Sequence, residues 1–298
     1  MHRKVFMDSL AKEGVFQAPA LYVVGTPIGN LGDLSFRALA AFKRANRICA
    51  EDTRVTQKLL KAYGISTKLV SLRAQNEALM TEKICGWLAE GEMIVQVSDA
   101  GTPGICDPGS YLVKRVRQAG LSVYSIPGPS ALITALSISG ISTQQFFFEG
   151  FLPAKSSHRI KVLEKIASKN EVTLCYEVPH RILSTLTYAM SLMPHRKLVL
   201  LRELTKTFET VLEGNAASLK EMIVADSQQQ RGEMVLIFDQ AEMSFTPALT
   251  QSVKEVAQEL VAYKIPSKTI TQLLANLVPV DKGELYEFIV ALKKAGVK

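Results

Sequence analysis

Between Leu21 and Pro127, short apolar runs alternate with stretches in which apolar residues return every three or four positions. The runs are Leu21 to Val24, Arg47 to Ala50, Lys68 to Leu72, Met93 to Ser98 and Ser122 to Ile126, and they predict strands. The periodic stretches, Ser35 to Ala45, Thr53 to Tyr63, Glu77 to Glu90 and Ser110 to Ala119, predict helices. Gly64, Gly91 and Gly120 follow three of them, where a helix usually ends. Alternation of this kind predicts an open, largely parallel sheet covered by helices.

After Pro127-Gly-Pro-Ser130 the pattern changes. A helix over Ala131 to Ser139 leads into Phe146-Phe-Phe148, which reads as core, as does Trp87. The later strand candidates are Val172 to Glu177, Lys197 to Glu203, Thr207 to Leu212 and Met234 to Asp239, and close neighbours among them can pair antiparallel. The expected organisation is an N-terminal tail over 1–19, an α/β domain over 20–128 and a second α/β domain over 129–241. Glu242 to Pro247 reads as a linker, and 248–298 contains only helical patterns, with starts at Ile265-Pro-Ser-Lys268 and Asp281-Lys-Gly-Glu284.

Composition narrows the classes. The chain has 298 residues, 47% of them hydrophobic and 21% charged, as expected of a folded protein large enough for two domains. Asp8, Lys12 and Glu13 interrupt any apolar signal segment near the start. No run reaches the roughly 18 to 20 apolar residues of a membrane span, so a soluble protein without a membrane partner is expected. Cys49, Cys85, Cys106 and Cys175 are scattered without Cys-x-x-Cys spacing, which fits neither a zinc site nor a disulfide framework and points to a reducing cytoplasm. The net charge of +7 favours an anionic partner such as nucleic acid. Basic residues gather at Arg37, Lys43, Arg44 and Arg47, at Lys114, Arg115 and Arg117, and at Lys155, His158, Arg159, Lys161 and Lys165, where alternation predicts solvent-facing helix sides.

Three loops follow predicted strands, at the carboxyl edge where open α/β sheets bind ligands. Gly25-Thr-Pro-Ile-Gly-Asn30 matches neither the dinucleotide pattern nor a Walker loop, which disfavours a nicotinamide enzyme or a P-loop hydrolase. Ser98-Asp-Ala-Gly-Thr-Pro-Gly-Ile-Cys-Asp-Pro-Gly109 holds more glycine, proline and aspartate than a plain connection needs. Pro127-Gly-Pro-Ser-Ala131 ends a strand and opens a helix, offering backbone amides and the Ser130 hydroxyl to a polar ligand group. Ala50-Glu-Asp-Thr-Arg54 brings two carboxylates and a guanidinium to the same edge, either as a functional cluster or as a helix cap formed by Asp52 or Thr53. In the second half, Tyr176-Glu-Val-Pro-His-Arg181 and Arg202-Glu-Leu-Thr-Lys206 also follow strands, and Arg181 could hold a phosphate.

Taken in order, Ser98-Asp-Ala-Gly-Thr-Pro, Pro127-Gly-Pro-Ser-Ala131, Phe148-Glu-Gly-Phe-Leu-Pro153, Pro179-His-Arg181, Arg202-Glu-Leu-Thr-Lys206 and Gly232-Glu-Met-Val-Leu236 closely resemble the bacterial small-subunit rRNA cytidine 2′-O-methyltransferases of the tetrapyrrole methylase, or class III methyltransferase, superfamily. The similarity runs from about Leu21 to about Asp239, with Gly104-Ile-Cys106 and Glu177-Val178 as minor departures. The resemblance implies two α/β domains with S-adenosylmethionine in the cleft between them, a C-terminal helical extension and commonly a homodimer. It implies that Pro27, Asp99, Ala100, Gly101, Thr102, Ser130 and Ala131 line the cofactor from the first domain, with backbone near Tyr176, Leu201 and Gly232 completing it from the second. The implied substrate is a cytidine in the decoding region of 16S rRNA, within the small subunit.

The implied chemistry is attack of a ribose hydroxyl on a sulfonium methyl, for which Asp52, Glu51, Asp99 and His180 are candidate proton acceptors, Asp52 foremost. Arg54 and Arg181 are candidate phosphate contacts. Two other readings stand beside this one. A small-molecule methyltransferase of the same fold would have a closed apolar substrate cleft, against the basic, open one expected here. A non-enzymatic RNA-binding module would keep the glycine loops for structure alone.

Overall fold

In the computed structural model the chain falls into two compact units, residues 1–241 and 242–298, and the residues described are 16–240, 249–278 and 280–294. The expected linker and most of the expected N-terminal tail lie outside the described residues.

The first sheet contains β1 (Ala20–Val24), β2 (Arg47–Ala50), β3 (Leu69–Ser71), β4 (Met93–Val97) and β5 (Ser122–Ile126), all parallel, in the order β3-β2-β4-β1-β5. Side chains alternate across it as strand geometry requires. Ala20, Tyr22 and Val24 pack with Ile48, Ala50 and Val95 beneath α1 (Phe36–Arg44) and α2 (Thr53–Ala62), which supply Ala38, Phe42 and Leu60. Leu21, Cys49 and Ile94 face the other way, toward Ile84 and Leu88 of α3 (Glu77–Ala89) and Leu112 and Val116 of α4 (Ser110–Gln118). With helices on both faces, every strand-terminal loop emerges at a sheet edge, and the four loops singled out above share the carboxyl edge.

The second sheet is mixed. Its order is β6 (Phe146–Phe151), β7 (Val172–Glu177), β10 (Met234–Phe238), β8 (Leu198–Arg202) and β9 (Thr210–Gly214). β6 runs parallel to β7, and the other neighbouring pairs are antiparallel, including the closely spaced β8 and β9. Helices α6 (Ser156–Ala167), α7 (Pro179–Leu192) and α8 (Ala216–Ala225) cover one face through Leu163, Ile182, Leu186 and Leu219. The opposite face packs on Ala135 of α5 (Ala131–Ile138) and on Ile28 from the loop after β1.

Three local expectations are corrected. Phe146 and Phe147 are not core: they lie on the edge strand β6 and are exposed, with Lys165 and Lys169 over the Phe147 ring. The strand expected from Thr207 begins at Thr210, because positive φ values at Glu203 and Thr205 turn the preceding segment. Arg47 and Arg159 do not face solvent as their basic neighbours do. Arg47 pairs with Glu92 at 2.7 Å and lies over Trp87, whereas Arg159 is buried against the Pro153 and Ala154 carbonyls and Ser184.

The remaining helices, α9 (Gln251–Ala262), α10 (Ser267–Leu277) and α11 (Lys282–Lys294), share their own core of Val253, Ala257, Ile270, Leu274, Leu285 and Ile289. Asp281 caps the start of α11 by accepting from the Glu284 amide, whereas α10 starts at Pro266 without a side-chain cap.

The loops after β1 and β5 cross at their glycines. A Cβ at Gly128 would meet the Gly25 Cα at 2.8 Å, and the converse holds at Gly25. Gly86, by contrast, has open space where a Cβ would project from α3. Gly128→Ala is expected to lower stability by about 1–3 kcal/mol, since backbone must give way, while Gly86→Ala raises it by about 0.4–1 kcal/mol. Urea unfolding followed through Trp87, the single tryptophan, checks both signs.

Candidate active site

The loops after β1, β4 and β5 are knitted together by backbone. The Thr26 amide donates to Gly101 O at 2.8 Å, the Gly101 amide donates back to Thr26 O, and the Thr102 hydroxyl donates to Pro129 O. The Asp52 amide reaches Asp99 Oδ1 at 2.9 Å, which ties in the loop after β2. Across from them, Asn30 donates to Thr205 O, and a Cβ on Gly29 would strike Lys206 and the Leu204 carbonyl. The segment from Arg202 to Lys206 is pinned in turn. Glu203, at φ 52°, accepts from Lys206 Nζ and from the Glu233 amide, and Gly232, at φ 82°, leaves no room for a Cβ beside it.

These loops enclose a cleft of about 470 Å³. One part of its lining is apolar, formed by Ile28, Ala131, Leu204, Met234 and Val235. Another is acidic, formed by Glu51, Asp99 and Asp107 together with Glu177 and Glu233, which pair with Arg181 and Lys206, so the expectation of a basic cleft is corrected. α5 opens at Ser130 and Ala131 in the wall, and Ser130 makes no side-chain cap there, so first-turn amides remain as donors.

Of the residues expected to line a cofactor, Asp99, Ala100, Gly101, Thr102, Ser130, Ala131, Tyr176 and Gly232 all border the cleft. Pro27 and Leu201 do not. Their near neighbours Ile28 and Leu204 take those places, and Leu201 is fully buried in the apolar layer with Val199 and Ile237.

The catalytic candidates divide. Glu51 borders the cleft; Asp52, Arg54, His180 and Arg181 do not. Asp52 caps α2 and accepts from Arg54 Nε at 3.0 Å and Nη2 at 2.5 Å, which realises the capping alternative. The Arg54 contacts hold its carboxyl well below the usual carboxylate range, so it is a weak proton acceptor. His180 is exposed in the first turn of α7. Arg181, expected on a phosphate, is spent inside the fold. Its Nε and Nη2 lie 3.0 and 2.9 Å from the buried Glu177, whose other oxygen accepts from Thr185 at 2.6 Å. That pair fixes the β7–α7 junction beneath the cleft, where breaking it would strand a buried charge.

Two residues that border the cleft were given no role by the sequence. Asp107 lies within the second glycine loop but reads there as one more turn residue, and Phe151 enters only as part of the motif Phe148-Glu-Gly-Phe-Leu-Pro153. Burial pushes both Glu51 and Asp107 above the usual carboxylate range, helped at Glu51 by Asp107 and Asp99 and opposed at Asp107 by a hydrogen bond from Ser98. Burial also pushes the Tyr176 phenol up to about 12, so it stays neutral.

The fold is shared with solved structures. Diphthine synthase superimposes with a TM-score of 0.57 at 14% identity, covering 74% of this chain and 89% of its own. Uroporphyrin-III-C-methyltransferase from Thermus thermophilus superimposes with a TM-score of 0.51 at 18% identity, covering 74% and 94%. The profile of the family Tetrapyrrole (Corrin/Porphyrin) Methylases matches residues 20–220, and the chain belongs to that family. It is 45% identical over 273 residues to ribosomal RNA small subunit methyltransferase I of Neisseria meningitidis serogroup B, covering 92% of this chain and 94% of the relative. The protein of the same name from Escherichia coli O157:H7 is 40% identical over 277 residues, covering 93% and 96%.

Membership makes S-adenosylmethionine the methyl donor. The cleft fits it: the volume is within the range of small-ligand sites, the lining carries carboxylates that can offset the charge of a cationic donor, and the α5 amides suit its carboxylate.

The carboxyl shifts set a pH signature. A carboxyl raised in the folded state favours folding below its unfolded pKa, and that contribution is lost as pH rises through the folded value. Glu51→Gln and Asp107→Asn are therefore expected to raise the thermal midpoint at pH 7, and this gain should vanish below about pH 4, near the unperturbed carboxylate values. Melting curves across that range, without donor, check the sign.

Proposed function

We propose that this chain transfers the methyl group of S-adenosylmethionine to the ribose 2′-oxygen of a cytidine in the decoding region of 16S rRNA, acting on the small subunit in the cytoplasm. The observation that carries the substrate is the likeness, over nine-tenths of the chain, to relatives named ribosomal RNA small subunit methyltransferase I. The cations that favour RNA stand outside the cleft, at Arg54, Lys58 and Lys61 of α2, and they support RNA over a tetrapyrrole; the acidic groups inside it do not.

In this reading Asp99 to Thr102, Ser130, Ala131, Tyr176 and Gly232 hold the donor, which supplies an electrophilic methyl on a sulfonium. Pro27 and Leu201 act only by supporting their neighbours. Glu51 takes the proton from the attacking hydroxyl, because it borders the cleft and its desolvated carboxyl is a better acceptor than Asp52. Asp99 supports it electrostatically, and His180 has no part. Arg54, with 81% of its side chain exposed, contacts a flanking phosphate.

Small subunits from a strain lacking this gene, incubated with labelled S-adenosylmethionine, should yield 2′-O-methylcytidine on nucleoside mass spectrometry. A base-methylated nucleoside would overturn the 2′-O assignment, and no transfer to subunits or free RNA would overturn the substrate. Glu51→Gln should lower kcat by about 10²–10⁴-fold, whereas Asp52→Asn should cost far less.

The active form in this reading is a homodimer. α5 reads Ala-Leu-Ile-Thr-Ala-Leu-Ser-Ile, yet only Ala135 is buried and Ile133 and Ile138 stand 52% and 43% exposed. An apolar helix left open beside the cleft calls for a second copy. Sedimentation equilibrium should give twice the chain mass, and Ile138→Glu should shift it toward monomer.

A further inference from the structure

Phe151 ends β6 at the mouth of the cleft, with 57% of its surface exposed. Its ring centroid lies 5.1 Å from that of Tyr176, edge on, and Tyr176 is braced from another side by Phe148 at 5.0 Å. Ile105, 63% exposed, borders the same cleft from the loop after β4. Two large apolar side chains thus stand in water at the entrance of a site whose interior already has an apolar wall of Ile28, Leu204 and Val235, enough for the adenosine of a donor.

Charge decides what can pass between them. Glu51, Asp99 and Asp107 make the interior acidic and repel phosphate. Outside, α2 leads away from its cap at Asp52 with Arg54, Lys58 and Lys61 exposed at helical spacing and no acidic residue among them. An RNA strand is therefore partitioned: its phosphates are favoured on α2, and only uncharged base and ribose are favoured within the cleft. A base drawn out of its helix loses its stacking partners, and an aromatic side chain at the point of entry replaces them.

Building on the rRNA reading, we propose that Phe151 and Ile105 form an apolar clamp that receives the unstacked target base, with Phe151 as its stacking platform and specificity for a planar ring as its consequence. Phe151 touches substrate in this arrangement and leaves the donor alone.

Phe151→Ala, Phe151→Leu and Phe151→Trp separate stacking from packing. With small subunits lacking the modification as substrate, Phe151→Ala is expected to lower kcat/KM by about 5- to 150-fold. Phe151→Trp should recover most of the loss, and Phe151→Leu little of it, while the dissociation constant of S-adenosylmethionine by calorimetry, the thermal midpoint and the sedimented mass stay at wild-type values. Wild-type kcat/KM in Phe151→Leu would mean that Phe151 only packs on Tyr176, and would overturn the clamp. So would an equal weakening of S-adenosylmethionine, which would make adenine the occupant, or a loss of dimer, which would make it a second copy. If the unaltered protein methylates no small-subunit RNA, the rRNA reading itself falls, and the clamp with it.

Discussion

The site rests on a contact between two backbones that carry no side chains. Gly25 and Gly128 approach so closely that a Cβ on either would meet the other's Cα at 2.8 Å. That approach lets the loops after the adjacent strands β1 and β5 close together. The paired amides of Thr26 and Gly101 then add the loop after β4, and the Asp52–Asp99 bond adds the loop after β2. A parallel sheet delivers all its strand ends to one edge, but side chains would hold such loops apart. Glycine at the crossing permits the loops themselves to become a wall.

That wall has an unusual electrostatic character for a protein with a net charge of +7. Cations are abundant outside, while five acidic residues border the cleft, of which Glu177 and Glu233 are paired with Arg181 and Lys206. A cationic methyl donor gains from this arrangement, and a phosphate does not. The same burial that costs Glu51 and Asp107 stability as carboxylates raises their affinity for a proton, so the strain and the chemistry have one origin. Asp52, one residue from Glu51, is placed oppositely by its bond to Arg54. Adjacent carboxylates thus differ in proton affinity because one is desolvated beside the cleft and the other is paired with Arg54 at a helix cap.

The second sheet supplies the opposing wall and stiffens it from below. Glu177 is fully buried yet satisfied by Arg181, Thr185 and the Val178 amide, and this holds the end of β7 in register with Tyr176 at the cleft. Arg196 does similar work at the other end, donating to four backbone carbonyls around the sheet. The guanidinium groups of half-buried Arg181 and buried Arg196 are engaged inside the fold, which removes two basic residues from any count of RNA contacts.

Much of the fold was legible in the sequence because alternation of apolar runs and helical periods is a local property. The five strands of the first sheet, its helices and the glycine loops follow from it, as does the position of the cleft at the carboxyl edge. The family motifs likewise pointed to Asp99 through Thr102, Ser130, Ala131, Tyr176 and Gly232, which all border the cleft. Tertiary structure alone decided the rest, since it depends on partners distant along the chain. Arg181 is read as a phosphate contact until Glu177 is seen to be buried beside it, and backbone near Leu201 as a cofactor wall while the cleft itself is bordered at Leu204. Phe146 and Phe147 look like core until β6 proves to be an edge strand. Asp107 looks like a turn residue until it is found beside Glu51 and Asp99. Sequence determined which elements form and which loops carry polar groups; only three-dimensional packing decided which of those groups face the cleft, because burial and charge pairing are set by neighbours that sequence spacing does not reveal.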